Sequence, residues 1–315
     1  MPTCSIIIRA YNEAAHLPRL LEGVARQTVQ DAEIILVDSG STDATAAIAR
    51  GYGARVVGIP PGEFTFGRSL NRGIAAASGE VIVIASAHVY PVYPDWLEKL
   101  TAPLADPAVA LTYGKQRGMA TTKYSEHQVF ARWFPDEPNP RQTHPFCNNA
   151  NAAIRRAVWE QRPYDETLTG LEDLAWAKGA LAQGLGISYV PEAEIIHVHD
   201  EAWRGVFNRY RREGMAFKRL YDEAHFNLYD CVRMIAANVL SDWRHAARAR
   251  VLFANWRSIL YFRTLQFWGT YRGYRDAHTP LTAPLRQRFY YPRGMDAGEA
   301  IVRGVKPIRY NDPND

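Results

Sequence analysis

The sequence predicts an α/β fold, a mostly parallel sheet covered by helices on both faces. Two observations predict it. Over about the first 115 residues, short and uninterrupted apolar runs alternate with helical segments. Runs of that kind belong to strands buried on both faces, since half-exposed strands alternate apolar with polar. Ser5-Ile-Ile-Ile8 reads as the first strand. Asn12 is placed to cap a helix from Glu13 to about Arg26, with Leu17, Leu20, Leu21 and Val24 on one face. Glu33-Ile-Ile-Leu-Val37 is the second strand, followed by the turn Asp38-Ser-Gly-Ser-Thr-Asp43 and a helix from about Ala44 to Arg50. A third strand, Arg55–Ile59, leads through Pro60-Pro-Gly62 to a helix over Ser69–Ala77. Val81-Ile-Val-Ile84 is the fourth strand. This β-α-β-α-β-α-β order is that of a doubly covered parallel sheet.

From Pro103 to about Trp159 the periods loosen and read as long loops. A helix over Glu172–Gln183 follows, then strands at Ile187–Pro191 and Ile195–His199. From Ala202 to about Tyr274 the pattern is helical, and the tail after Pro292 reads as irregular. The division expected is residues 1–201 and a helical, basic and aromatic region, 202–315.

The composition, 47% apolar and 22% charged, is that of a globular protein and excludes intrinsic disorder. No stretch reaches the roughly 18 uncharged apolar residues that cross a bilayer. The start lacks the basic and apolar regions of a secretion signal. Cys4, Cys147 and Cys231 are too scattered for a disulfide scaffold or a zinc knuckle, and they suit a reducing, cytoplasmic compartment.

In an open parallel sheet, ligands collect at the carboxyl ends of the strands. Those ends here carry Tyr11-Asn12-Glu13, the Asp38–Asp43 turn, Arg68 and Ser86-Ala87-His88. Neither Gly-x-Gly-x-x-Gly nor a Gly-Lys-Ser/Thr loop is present, which argues against a dinucleotide dehydrogenase and a P-loop enzyme. Asp38 suits a ribose hydroxyl or a base N–H, and Asp43 suits a turn with a helix cap.

Ser5–Glu13 and Glu33–Asp43, continued by Asn71-x-Gly73, Ala77-Ser-Gly-Glu80 and Pro94-Asp-Trp-Leu97, resemble the motif chain of family-2 glycosyltransferases over residues 3 to 200. The resemblance implies the Rossmann-like GT-A fold, a nucleotide-sugar donor (a UDP-sugar first), and a divalent metal. It implies that Tyr11, Glu13 and Asp38 contact base and ribose; Arg68, by its charge, suits a diphosphate contact, and Ser86 keeps a hydroxyl contact to the nucleotide. Ser86-Ala87-His88 stands where the family carries Asp-x-Asp, so His88 takes the place of the metal-binding Asp. Imidazole suits Mn²⁺ or a later transition metal and suits Mg²⁺ poorly, so Mn²⁺ is favoured. A metal-free site with His88 on the diphosphate is the alternative. In Ile195-Ile-His-Val-His199 both histidines face one side of a strand, and the resemblance implies His199 as a further ligand, with His197 as fallback or neighbour. The family's Glu-Asp motif falls on Glu172-Asp173, which makes Asp173 the base of an inverting transfer. The helix dipole there favours the charged form unless burial opposes it. Asn149 and Asn151 offer amides to sugar hydroxyls, and Trp133 offers a ring to a sugar face.

Between Trp203 and Arg293, 17 Arg/Lys stand against 6 Asp/Glu, while the whole chain is only +4. A basic stretch interleaved with Trp and Tyr suits an anionic membrane surface and an acceptor glycan on a lipid carrier, at the inner face of the membrane. Packing onto the catalytic domain, or a homodimer interface, fits the same composition. No nucleic-acid motif accompanies the charge, so nucleic acid is excluded as a partner. A binding scaffold that has lost catalysis, and a nucleotidyltransferase, are the competing functions.

Overall fold

The structure is a computed structural model that describes residues 3–199, 201–278, 306 and 308–310. Most of the tail that the sequence reads as irregular lies outside those residues.

One nine-stranded sheet organises the molecule. Its strands are β1 (Ser5–Ala10), β2 (Glu33–Asp38), β3 (Arg55–Gly58), β4 (Val81–Ser86), β5 (Val89–Pro91), β6 (Val109–Arg117), β7 (Asn139–Gln142), β8 (Asn151–Arg155) and β9 (Gly186–His197). The order is β3-β2-β1-β4-β8-β6-β9-β5, with β7 added against β9. β1 to β4 pair parallel, β8 runs antiparallel between β4 and β6, and β6 pairs parallel with β9. The ends of β1, β2, β4, β6 and β9 and the start of β8 therefore share one edge, and that edge carries the site.

The central strands β1, β2 and β4 are largely apolar because each has two faces to bury. Ile6 and Ile8 of β1 pack with Leu36 under α1 (Leu17–Ala25) and α4 (Trp96–Thr101). Ile7, Ile35 and Val37 point the other way, against Leu70 and Ile74 of α3 (Phe66–Ala76) and Trp176 of α7 (Glu172–Ala182). The remaining helices are α2 (Thr45–Gly51), α5 (Tyr124–Trp133), α6 (Arg156–Gln161), α8 (Trp203–Leu220), α9 (Leu228–Arg248) and α10 (Leu252–Asp276). Cys4, Cys147 and Cys231 are buried, free thiols.

Several local expectations are corrected. Asn12 does not cap a helix: it sits at φ +54°, and its side-chain oxygen accepts from Thr42 N at 2.8 Å. The helix begins four residues past Glu13, at Leu17, after a turn in which Ala14 N donates to Asp43 and Glu13 N donates to Thr45 Oγ1. These bonds tie the loop after β1 to the loop after β2. α3 starts at Phe66 rather than Ser69, because Thr65 accepts from Arg68 N and caps it. The two strands expected over 187–199 are one strand, β9, with His199 just past its end. The stretch expected as long loops holds β6, α5, β7, β8 and α6. Lys115 and Gln116 break the apolar run of β6, yet both are buried.

Candidate active site

A cavity of about 1000 Å³ opens along the carboxyl edge of the sheet. Its floor is built from strand ends: Arg9 and Ala10 of β1, Ser39 past β2, Ser86 and His88 past β4, Gln116 of β6 and His197 of β9. Tyr11, Glu13 and Asn149 line the same space, as do Glu172 and Asp173 at the start of α7. Glu126 and Trp133 of α5 and Arg209 and Arg212 of α8 close the far side, so α8 is part of the site wall.

The donor atoms of His88, His197 and His199 lie within 4.8 Å of one another. Each ring is oriented through Nδ1. His88 Nδ1 donates to Glu13 Oε1 at 2.7 Å, and His197 Nδ1 donates to Gln116 Oε1 at 2.8 Å. His199 Nδ1 lies 2.8 Å from Glu126 Oε1 and 3.1 Å from Arg209 Nη1; the carboxylate is nearer and only accepts, which puts the proton on Nδ1. With Nδ1 so engaged, Nε2 is the atom through which each ring, in its neutral form, can bind a cation. The Nε2 atoms of His197 and His199 face one another at 3.1 Å, an arrangement that a cation or a proton between them relieves. Burial, reinforced by the charges of His199, His88 and Arg209, pushes the His197 pKa well below the usual imidazole range and keeps the ring neutral. Burial also pulls on His88, but the Glu13 carboxylate outweighs it and raises that pKa.

The second cluster centres on Asp173. Oδ2 accepts from Asn149 N at 3.1 Å and Oδ1 from Leu174 N at 2.8 Å. Glu172 is held by Arg9 Nη1 at 2.9 Å and by Asn149 Nδ2 at 3.3 Å. Burial first, and Glu172 second, push the Asp173 pKa up to about 7. The helix dipole therefore loses to desolvation. Arg9 and Arg212 lie on the Phe66 ring at 5.0 and 4.7 Å, which brings two guanidinium groups to this end of the cavity.

Nine of the twelve side chains singled out from the sequence line this cavity: Tyr11, Glu13, Ser86, His88, Trp133, Asn149, Glu172, Asp173 and His199. Three do not. Asp38 ends β2 beside it, with Oδ1 accepting from Ser41 N at 3.1 Å, and Ser39 takes the lining position. Arg68 is drawn aside by Glu166 at 2.8 Å and Glu63 at 3.8 Å. Asn151 is fully buried and saturated: Oδ1 accepts from Trp96 Nε1, and Nδ2 donates to the Lys115 and Ala193 carbonyls. It joins strands rather than contacting sugar. The Asn149 amide is likewise engaged, with Glu172 and Tyr164. Sequence reading missed Arg9, Gln116, Glu126, Arg209 and Arg212. Arg9 had a signal, a charge at the end of a buried strand; Glu126 had none.

A sequence profile of glycosyl transferase family 2 matches residues 5–162. The chain belongs to that family. Among relatives of this family 2 transferase, the O-antigen chain rhamnosyltransferase WbaN of Salmonella anatum is 28% identical over 229 residues, which are 68% of this chain and 72% of that one. The fold is GT-A with a helical C-terminal region. It is shared by the mannosyltransferase PcManGT of Pyrobaculum calidifontis, solved with GDP-Man and Mn²⁺, at a TM-score of 0.59 and 20% identity, covering 88% of this chain and 85% of that one. Glucosyl-3-phosphoglycerate synthase of Mycobacterium tuberculosis, solved with Mn²⁺, UDP and its product, superposes at a TM-score of 0.53 and 20% identity, over 71% and 81% of the two chains.

Proposed function

We propose that this glycosyltransferase moves a sugar from a nucleoside-diphosphate donor, a UDP-sugar first, to a hydroxyl of a glycan acceptor, with inversion at the anomeric carbon. One observation carries the reading: a converging histidine cluster and a buried carboxylate with a pKa of about 7 share one cavity at the sheet's carboxyl edge.

Asp173 is the base. A carboxylate poised near neutrality takes the acceptor proton as that hydroxyl attacks, while the backbone amides of Asn149 and Leu174 hold it in place. Tyr11 and Glu13 receive the nucleotide, with Asp38 beside them at the end of β2, and the Ser39 hydroxyl, buried without a hydrogen-bond partner, faces the same space. Arg9 and Arg212 take the diphosphate role first expected of Arg68. The donor set fits a divalent metal, because three rings locked through Nδ1 present three Nε2 lone pairs. His88, His197 and His199 would hold such a cation, which would supply positive charge to the departing diphosphate. All-nitrogen ligation favours Mn²⁺ or a later transition metal over Mg²⁺. The bound Mn²⁺ of the two structural relatives supports this.

Trp133, 43% exposed at the cavity rim, offers an aromatic face to the acceptor. The Salmonella relative acts on O-antigen chains, which supports a growing glycan as acceptor and rhamnose as one donor sugar to try. Residues 1–201 then supply donor site and base, and the helices from 202 supply the wall that α8 forms.

Calorimetric titration with UDP, dTDP, GDP and CMP, each with and without Mn²⁺, tests the reading. The expected result is selective, metal-dependent binding of one diphosphate. Metal affinity should fall at least about tenfold in His197→Ala. Asp173→Asn should retain that binding while transfer drops by about 10²–10⁴. Metal-independent binding removes the metal centre from the account, and full transfer by Asp173→Asn removes the base.

A further inference from the structure

The C-terminal helices carry a surface that sugar transfer does not use. Of the thirteen large apolar side chains exposed among the described residues, eleven lie between Trp203 and Trp268. α10 is apolar on two opposite sides. Ile259 and Phe262 are buried on one side, along the line of Gly269 and Gly273. On the other, Phe253, Leu260, Tyr261 and Trp268 face solvent at helical spacing, with Phe253 95% exposed. Arg257 and Arg275 fall on that same outward stripe, which runs about 33 Å along the helix. α9 exposes Tyr229, Val232 and Leu240, together with Arg233, Arg244 and Arg248.

The charge on these two helices is one-sided. Asp242 is buried against Arg263, Asp276 is paired with Arg211, and Asp230 is used in the cap of α9. The unopposed charge on the exposed positions is therefore arginine, set among aromatic and aliphatic side chains. Neither helix is long and apolar enough to cross a membrane.

We propose that the outer face of α9 and α10 lies on an anionic lipid surface. Tyr and Trp settle at the headgroup level, where an apolar ring with a polar edge is best placed, and arginines meet the negative surface potential. A partly buried amphipathic helix needs no spanning length for this. A second copy of the chain suits the face less well, since two such faces would set arginines against arginines. The opposite side of α10 packs on α8, which walls the cavity, so docking holds that cavity one helix layer from the lipid. The inference is independent of the transfer reading.

The test is co-sedimentation of the full-length protein with phosphatidylcholine vesicles, with and without phosphatidylglycerol, at low and high salt. Binding is expected only with phosphatidylglycerol, weakened by salt. The double variants Phe253→Ser/Trp268→Ser and Arg257→Glu/Arg275→Glu should each lose at least about tenfold in partitioning. All four positions are on the outer face, and an unchanged Tm certifies the fold. Absence of wild-type binding to anionic vesicles overturns the proposal, and so does unchanged binding by both variants. A dimer in light scattering that Phe253→Ser/Trp268→Ser dissolves, without vesicle binding, overturns it in favour of self-association. None of these readouts requires sugar transfer, so failure here leaves the catalytic assignment standing.

Discussion

The carboxyl of Asp173 accepts from two backbone amides at the start of α7, an arrangement that by itself stabilises the anion. Burial and the neighbouring Glu172 outweigh those bonds and hold the pKa at about 7. A base works only when deprotonated, so transfer should rise with pH through that value and fall about tenfold per unit below it. Glu172→Gln removes the second cause of the shift and releases Arg9 from its ion pair, and both changes favour the Asp173 anion. The acidic limb of kcat/KM should therefore move to lower pH in that variant. A limb that stays in place, or moves up, assigns the titration to another group. At this scale the sequence singled out Asp173, His88 and His199 by their places in a motif chain, and the fold brings all three to one cavity. It could not identify Arg9 or Arg209 as partners, because pairs such as Arg209 and Glu126 are 83 residues apart and meet only in the fold.

α5 was the hardest helix to read. It begins without a side-chain cap, and buried Glu126 sits where an apolar residue is expected. β6 was obscured for the same reason, since Gln116 interrupts its apolar run in order to orient His197. Polar residues placed for a site thus blur the periodicity from which elements are recognised. α9 and α10, whose apolar faces serve packing, were legible as helices. They are joined by a polar clasp that composition did not reveal. Arg263 of α10 meets Asp242 of α9 at 2.7 and 3.0 Å, and its Nη2 reaches the Ser125 carbonyl of α5. Both partners of the ion pair are buried. Asp242→Ala leaves the guanidinium without its carboxylate and should cost about 3–5 kcal/mol of stability, seen as a lowered Tm. A loss below about 1 kcal/mol would mean that Gln266 and Ser125 satisfy Arg263 alone.

The division after residue 201 that the sequence implies separates a strand-rich body from a helical region, but the cavity spans it. Arg209 of α8 pairs with Glu126 of α5, which in turn anchors His199, so the placement of α8 reaches the histidine cluster through two contacts. α8 is seated in turn by a close crossing with α10. A Cβ on Gly273 would stand 2.3 Å from the Arg211 carbonyl oxygen, and one on Gly269 would stand 2.7 Å from that of Phe207. Those neighbours are backbone, so neither clash is relieved by a rotamer change, and the helices must separate. Gly273→Ala should therefore lower stability by about 1–3 kcal/mol, the usual cost of overpacking. It should also weaken metal-dependent nucleotide binding, although residue 273 is absent from the cavity lining. Measuring Tm and calorimetric affinity on the same sample separates two accounts of the C-terminal helices. Loss of both makes the helical region part of the transfer site, positioned by α10 through α8. A lowered Tm with unchanged affinity would mean that α5 alone fixes His199, leaving the C-terminal helices to stability and surface attachment.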